Sequence, residues 1–222
     1  MQPVNYPKSL MHVTAEKIRQ AIVSGELPLG SKLSEQRLAD TLEVSRSPVR
    51  DALAALQWEG LVTISPKRGS YVFTPEVLAV DELCEHRFIL ETAAIRLGIE
   101  RNHHTLVQQL EAASEEMQKA LASTDPHEYT IGDHQFHDAI IECAANRALS
   151  KSYNLTISPL KALRTHLFTI MSENTQRSMS EHVAVIKAVE EKDTEQAVLQ
   201  LSEHIGHLAT AFRAKLSNQK SA

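Results

Sequence analysis

Asp133 and His137 stand four residues apart in GDHQFHDAII, so on a helix both project from one face. Ile140, Ile141 and Ala144 continue that face, which therefore looks into an apolar interior. His182 opens another helical stretch above Val185, Ile186 and Val189, and His204 shares a face with Ala197, Leu201, Leu208 and Ala211. Three histidines and one aspartate, carried on three helices, thus project toward one interior. A buried carboxylate without a partner is expensive, and so are three unpartnered imidazoles beside it. One divalent transition-metal ion satisfies all four, because imidazole nitrogens suit Zn, Ni, Mn or Fe and a carboxylate adds a charged oxygen. Spacing alone equally permits separate core histidines, each hydrogen-bonded to a neighbour. Such a metal set can also activate water for hydrolysis. Glu203 beside His204 is then the nearest base, and its angle on the helix turns it away.

A second chemistry lies in residues 34–62, SEQRLADTLEVSRSPVRDALAALQWEGLV. Arg46 and Arg50 are four apart and share a face, with Ser45 and Ser47 beside them. Arginine grips guanine or phosphate, while hydroxyls and a helix N-terminus hold phosphate oxygens. Two short helices must position these groups. Ser34 is placed to cap the first, where Leu38, Ala39 and Leu42 form an apolar stripe. Glu43-Val44-Ser45 makes the turn, Ser45 or Ser47 caps the second helix, and Pro48 falls in its first turn, where a missing N–H costs little. Val49, Leu53, Leu56 and Trp58 are expected to point inward, and Gly60 to end the helix.

An ordinary helical hairpin with solvated arginines has the same pattern, so the flanks matter. Ser9 to Ser24 reads as a helix with Val13, Ile18, Ala21 and Ile22 toward a core, followed by a loop at residues 25–30. Leu61 to Ser65 alternates like a strand, Pro66-Lys67-Arg68-Gly69 is a turn with two cations, and Ser70 to Thr74 is a second strand. Three helices and a basic-tipped β-hairpin make a winged helix-turn-helix. Lys67 and Arg68 can reach a flanking backbone or minor groove, and Gly69 lets the chain come close to the sugar-phosphate wall.

Beyond Pro75 no strand is evident. Helices are expected at about 76–100, 104–122, 126–144, 146–171, 177–191 and 194–217, an all-α six-helix bundle behind a short lead-in and the winged head. Leu, Ala, Glu, Gln and Lys abound among the 222 residues, so the chain is mainly α. Net charge is −5, yet residues 1–74 carry nine basic and seven acidic side chains, while the remainder carries fourteen and twenty-one. A slightly positive head on an acidic body fits local reading of DNA better than coating of it. Cys84 and Cys143 lack a CxxC pattern and read as free buried thiols. No apolar run approaches the ~20 residues of a membrane span. The first residues, MQPVNYPKSLMHV, lack the charged-then-apolar order of a signal peptide, so a cytoplasmic protein without membrane partners is expected.

HVTAEKIRQAIVSGELPLGSKLSEQRLADTLEVSRSPVRDALAALQWEGLV, with the wing PKRGSYV, closely resembles the N-terminal domain of the GntR family of bacterial transcription regulators. The resemblance implies that the DNA contacts come from Gln36, Ser45, Arg46, Ser47, Arg50, Arg68 and Gly69, although Gln36 stands where some relatives have arginine. RFILETAAIRL, DHQFHDAIIECAANRAL and SEHVAVIKAVEEKDTEQAVLQLSEHI resemble the FCD domain of the FadR subfamily. In its metal-binding members the ligands sit where this chain has Asp133, His137, His182 and His204. The six-helix count is similar to the VanR-type variant. Arg87 matches an arginine near the effector pocket of related domains and can hold a carboxylate bidentately; a salt bridge to Glu91 at i+4 is the alternative. Arg164 and His166 are further pocket candidates. His134 and His207 neighbour the cluster, and His103-His104 reads as a helix-start loop.

The resemblance thus implies a winged helix-turn-helix at 8–75 and an FCD ligand-binding and dimerisation domain at 76–218. One head binds weakly; a homodimer on palindromic double-stranded operator DNA gains affinity and specificity. The expected function is a transcriptional repressor whose operator affinity is set by a small organic acid, a carboxylate held at the metal with help from Arg87. Metal as the effector itself is the alternative.

Overall fold

Ser9 accepts the backbone N–H of His12 at 3.3 Å and starts α1 (Leu10–Val23), which turns Thr14, Ala15, Ile18 and Ile22 inward. The computed structural model describes residues 9–170 and 172–219. The lead-in over residues 1–8 and position 171, where the fourth bundle helix was expected to end, lie outside the described residues. Val13, expected toward the core, is 43% exposed, because it sits about 140° around the helix from Ile18.

Strand β1 (Lys32–Leu33) precedes α2 (Glu35–Leu42), whose N-cap Ser34 accepts the Arg37 N–H at 3.3 Å. Glu43 is left-handed (φ 54°), ends α2 and swings the chain into α3 (Arg46–Trp58). Ser45 occupies the N-cap position of α3, without a side-chain capping bond. Val49, Ala52, Leu53 and Leu56 are buried on α3. Trp58 is the exception among the residues expected inside: it is 91% exposed, since two residues beyond Leu56 is a rotation of about 200°.

β2 (Val62–Ser65) and β3 (Gly69–Val72) form the expected antiparallel hairpin, with Thr63 opposite Tyr71 and Ser65 opposite Gly69. β1 adds a third strand, Lys32 opposite Tyr71, so the sheet order is β1-β3-β2. Burying Ile18, Ile22, Leu53, Leu56 and Leu61 contributes roughly 1.5–3 kcal/mol each before chain entropy is counted. This compact unit ends at Thr74 and a second begins at Pro75.

Among the described residues of the second unit every secondary-structure element is a helix. α4 (Val77–Ser123) kinks at Asn102 (φ −139°, ψ 38°). There the Asn102 amide donates to the Cys143 carbonyl at 2.8 Å, and Arg101 donates to the Ala144 carbonyl at 3.0 Å. The two helices expected on either side of Asn102 are thus one bent rod. α5 (Pro126–Cys143) starts at Asp125, which accepts from the His127 and Glu128 N–H groups. α6 (Arg147–Thr156) and α7 (Ser158–Ile170) divide the stretch expected as a single helix, with Pro159 in the first turn of α7. α8 (Ser172–Glu190) starts earlier than the expected 177, and α9 (Thr194–Gln219) follows the Asp193 cap. Among the described residues six helical elements remain, because one merger and one division offset.

α4 packs against α5 and α9. Gly132 is what lets α5 approach: a Cβ there would stand 2.7 Å from Met117 Cγ and 3.1 Å from the Ala113 carbonyl oxygen. The backbone of α4 cannot yield as a side-chain tip can. Gly132→Ala is therefore expected to destabilise this unit by about 1–3 kcal/mol in denaturant unfolding. A change inside about 0.5 kcal/mol, the ordinary range for surface substitutions, would mean the helices are not held this close.

Candidate functional site

α5 carries Asp133 and His137, α8 carries His182 and α9 carries His204, and their ligating atoms all lie within 4.8 Å of one another. All four side chains are buried. His182 Nε2 is 3.5 Å and His137 Nε2 4.0 Å from Asp133 Oδ1, and the Nε2 atoms of His137 and His204 are 3.1 Å apart. Phe136 packs against His182 at a centroid distance of 4.3 Å and walls one side of the cluster.

Two carboxylates fix the imidazoles from behind. His137 Nδ1 donates to Glu91 Oε2 at 2.8 Å, and His204 Nδ1 donates to Glu181 Oε2 at 3.0 Å. An ionised carboxylate only accepts, so both Nδ1 atoms carry the proton and both Nε2 lone pairs face the cluster. His137 Nε2 receives a guanidinium N–H from Arg87 at 2.5 Å. His204 Nε2 faces His137 with no proton to share. Both ring nitrogens of His182 and both oxygens of Asp133 lack a hydrogen bond, although the Arg164 guanidinium touches Asp133. Burial, reinforced by Arg87, keeps the His137 pKa below its ordinary value. Burial and the neighbouring histidines hold His182 and His204 well below theirs. Neutral imidazoles are the form that binds metal. Converging ring nitrogens, a carboxylate without a well-formed hydrogen bond and neutral rings fit one divalent transition-metal ion.

Glu91 is the hub of the surrounding shell. It accepts from Arg87 Nε at 2.7 Å, from the Tyr153 hydroxyl at 3.0 Å and from His137. Burial alone would raise its pKa, but Arg87 and His137 hold it well below the usual carboxylate range. Arg87 thus makes the i+4 salt bridge, and it also borders a cavity of about 260 Å³ shared with Arg164 and His204. Arg164 is 1% exposed and buried next to Arg87; both circumstances disfavour its charge, yet a guanidinium keeps its proton in proteins. Its contact with Asp133 is the relief available.

His134 and His207 stay outside the converging four. His207 donates to Glu181 at 2.5 Å, and His166 is exposed. His103 lies inside α4, one residue past the kink, and bonds the Val189 carbonyl at 2.7 Å. Glu181 had no sequence signal at all, because it meets His204 from another helix.

In the head, Gln36, Ser45, Arg46, Ser47, Arg50, Arg68 and Gly69 are all exposed. Gln36 donates to Asp40 at 2.8 Å. Arg46 and Arg50 both donate to Glu35 Oε2, at 2.9 and 3.3 Å, a carboxylate that spacing did not single out. Lys67 (φ 63°) and Gly69 (φ 108°) bring Arg68 to the tip of the hairpin, where the Tyr71 hydroxyl donates to the Arg68 carbonyl at 3.0 Å.

The model of the gntR family of bacterial regulatory proteins matches residues 11–72, and that of the FCD domain matches residues 82–207. The gluconate operon transcriptional repressor of Bacillus licheniformis is 30% identical over 199 residues, 85% of this chain and 79% of that protein. The HTH-type transcriptional repressor NanR of Klebsiella aerogenes is 26% identical over 235 residues, covering 97% and 90% of the two chains. The solved structure of E. coli McbR/YncC covers 94% of this chain and 100% of its own at a TM-score of 0.82 and 20% identity, a likeness of fold. These relatives are regulators, which removes the hydrolase alternative. The chain belongs to the GntR family of bacterial regulatory proteins, a DNA-binding transcriptional regulator with an FCD domain behind its winged head.

Proposed function

We propose that this protein is a repressor which binds a palindromic double-stranded operator as a homodimer, and that a small organic acid at a metal site controls its operator affinity. The carrying observation is the buried cluster of Asp133, His137, His182 and His204 bordering a cavity with arginines in its wall. These four residues would hold the ion, Zn, Ni, Mn or Fe, which supplies a Lewis-acid position for a carboxylate oxygen. Arg87, Arg164 and Arg177 with a dication outweigh Glu91, Asp133 and Glu181 by two units of charge, which favours an anion there. Leu78 and Ile89, three turns apart on α4 with Phe88 beside them, expose apolar surface suited to a second copy. Only residues 73–76 separate β3 from α4, so a shift of α4 reaches the wing through a short stretch of chain. In the head, Gln36, Ser45, Arg46, Ser47, Arg50, Arg68 and Gly69 meet bases and phosphates.

Titrating the protein with organic acids while following operator binding, at fixed salt, tests this. A matching acid is expected to weaken operator binding about 5- to 150-fold, and a chelator to abolish that response without itself releasing DNA. Release of DNA by the chelator alone would make the metal the effector. Melting of the second unit by the chelator, with no acid altering operator affinity, would leave the metal a structural role.

A further inference from the structure

The cavity beside the cluster has a mixed wall. Arg87, Arg164 and His204 line it, Leu167, Phe168, Leu208, Ala211 and Ala214 supply half of the remaining wall, and in the other half Arg177, Glu181 and His207 bond one another. Resting on the organic-acid reading above, we propose that its occupant is a monocarboxylate with a compact hydrocarbon body, rather than a polyhydroxylated sugar acid or a dicarboxylate.

The head of the ligand follows from which donor a bound metal would release. Arg87 already donates through Nε to Glu91 and through a terminal nitrogen to His137. Arg177 is held by Glu181 at 2.9 Å and by His207. Arg164 is different: it is buried, neither terminal nitrogen makes a hydrogen bond of good geometry, and its ion-pair partner Asp133 is one of the residues that would hold the metal. One guanidinium fork whose counterion turns to the metal matches one carboxylate.

The body follows from what the wall can satisfy. Of the polar side chains there, Arg177, Glu181 and His207 are engaged with one another, which leaves the hydroxyls of Ser178 and Thr210. A sugar acid would bring several hydroxyls against leucine, phenylalanine and alanine, and each one left without a partner weakens binding by roughly tenfold. Each methylene placed there instead tightens it by roughly fourfold. Size follows by proportion: a cavity of about 150 Å³ takes a benzene, so 260 Å³ takes a ligand of roughly ten non-hydrogen atoms.

Hexanoate and gluconate share a carboxylate and a six-carbon chain and differ in hydroxyls. Calorimetric titration of the full chain, reconstituted separately with Zn²⁺ and with Mn²⁺, is expected to show hexanoate binding at least tenfold tighter than gluconate. Butanoate should fall about tenfold below hexanoate, and 1-hexanol should bind at least tenfold more weakly than hexanoate. Leu208→Asn, or Ala211→Asn should the first variant melt early, should weaken hexanoate at least fivefold without weakening gluconate. Gluconate binding as tightly as hexanoate would overturn the hydrocarbon body while leaving the organic-acid reading intact. Hexanol matching hexanoate would overturn the carboxylate head. If no acid binds with either metal, the organic-acid reading fails and this inference with it.

Discussion

Replacing Arg46 and Arg50 together by alanine is expected to lower operator affinity by about 10³-fold or more while leaving the fold intact. The two side chains are 56% and 65% exposed, and among the described residues both pair with Glu35 on α2. Exposed ion pairs contribute at most about 1 kcal/mol, so unfolding should shift little. DNA offers these arginines much more. A bidentate grip on guanine is worth about 1–3 kcal/mol, and a two-fold dimer presents each arginine twice. Four lost contacts, at the low end of that range, already sum to about 4 kcal/mol. Glu35 holds both guanidiniums on one side of α3 until guanine or phosphate displaces it. Lysine at both positions should recover only part of the loss, because an ammonium cannot make the forked contact. Fluorescence anisotropy with a duplex operator at constant salt measures this. A folded double variant that still binds as tightly would remove α3 from the recognition surface.

The head was legible because its signals are local. Ser34 caps the helix it was expected to cap, the first helix starts within one residue of its expected place, and the wing forms its expected hairpin. β1 escaped because a two-residue strand has no periodicity, and its existence depends on β3 arriving from forty residues away. Trp58 escaped because a large apolar residue near a helix end was assumed to follow its neighbours, when rotation about α3 carries it outward. In the second unit Asn102 looked like a break, but its amide bonds the Cys143 carbonyl and the helix resumes after one non-helical residue. The division between α6 and α7 did have a signal, Ser158-Pro159, a proline suited to a first turn. For the candidate site, Asp133 and His137 are visible as a four-residue pair. His182 and His204 join them only when α8 and α9 pack, and the shell behind them, Glu91, Glu181 and Arg164, depends on three more helix contacts. Periodicity shows which face is buried and not which groups meet there.

Glu91→Leu is expected to destabilise the second unit by about 3–5 kcal/mol, because it strands a buried cation. Arg87 is as buried as Glu91 and loses its counterion, while the Tyr153 hydroxyl and the His137 Nδ1–H lose their acceptor. That is a large share of the roughly 5–15 kcal/mol available to a native protein. Glu91→Gln fits the same space, yet its amide nitrogen must face either Arg87 or His137, donor against donor, so it should also destabilise, by less. Combining Glu91→Leu with Arg87→Met removes both charges and should recover part of the loss, since an apolar pair of similar volume replaces a buried ion pair at little cost. Denaturant unfolding with chelator present measures these without metal linkage. A second readout belongs to the metal: losing the group that orients His137 should weaken binding of added Zn²⁺ about 10- to 100-fold in Glu91→Gln. If Glu91→Leu costs under about 1 kcal/mol, water must reach Arg87, and the dry, ion-paired shell around the cluster is wrong. If stability falls and Zn²⁺ affinity does not, Glu91 serves the fold alone, and the lone pair of His137 Nε2 is not a metal ligand.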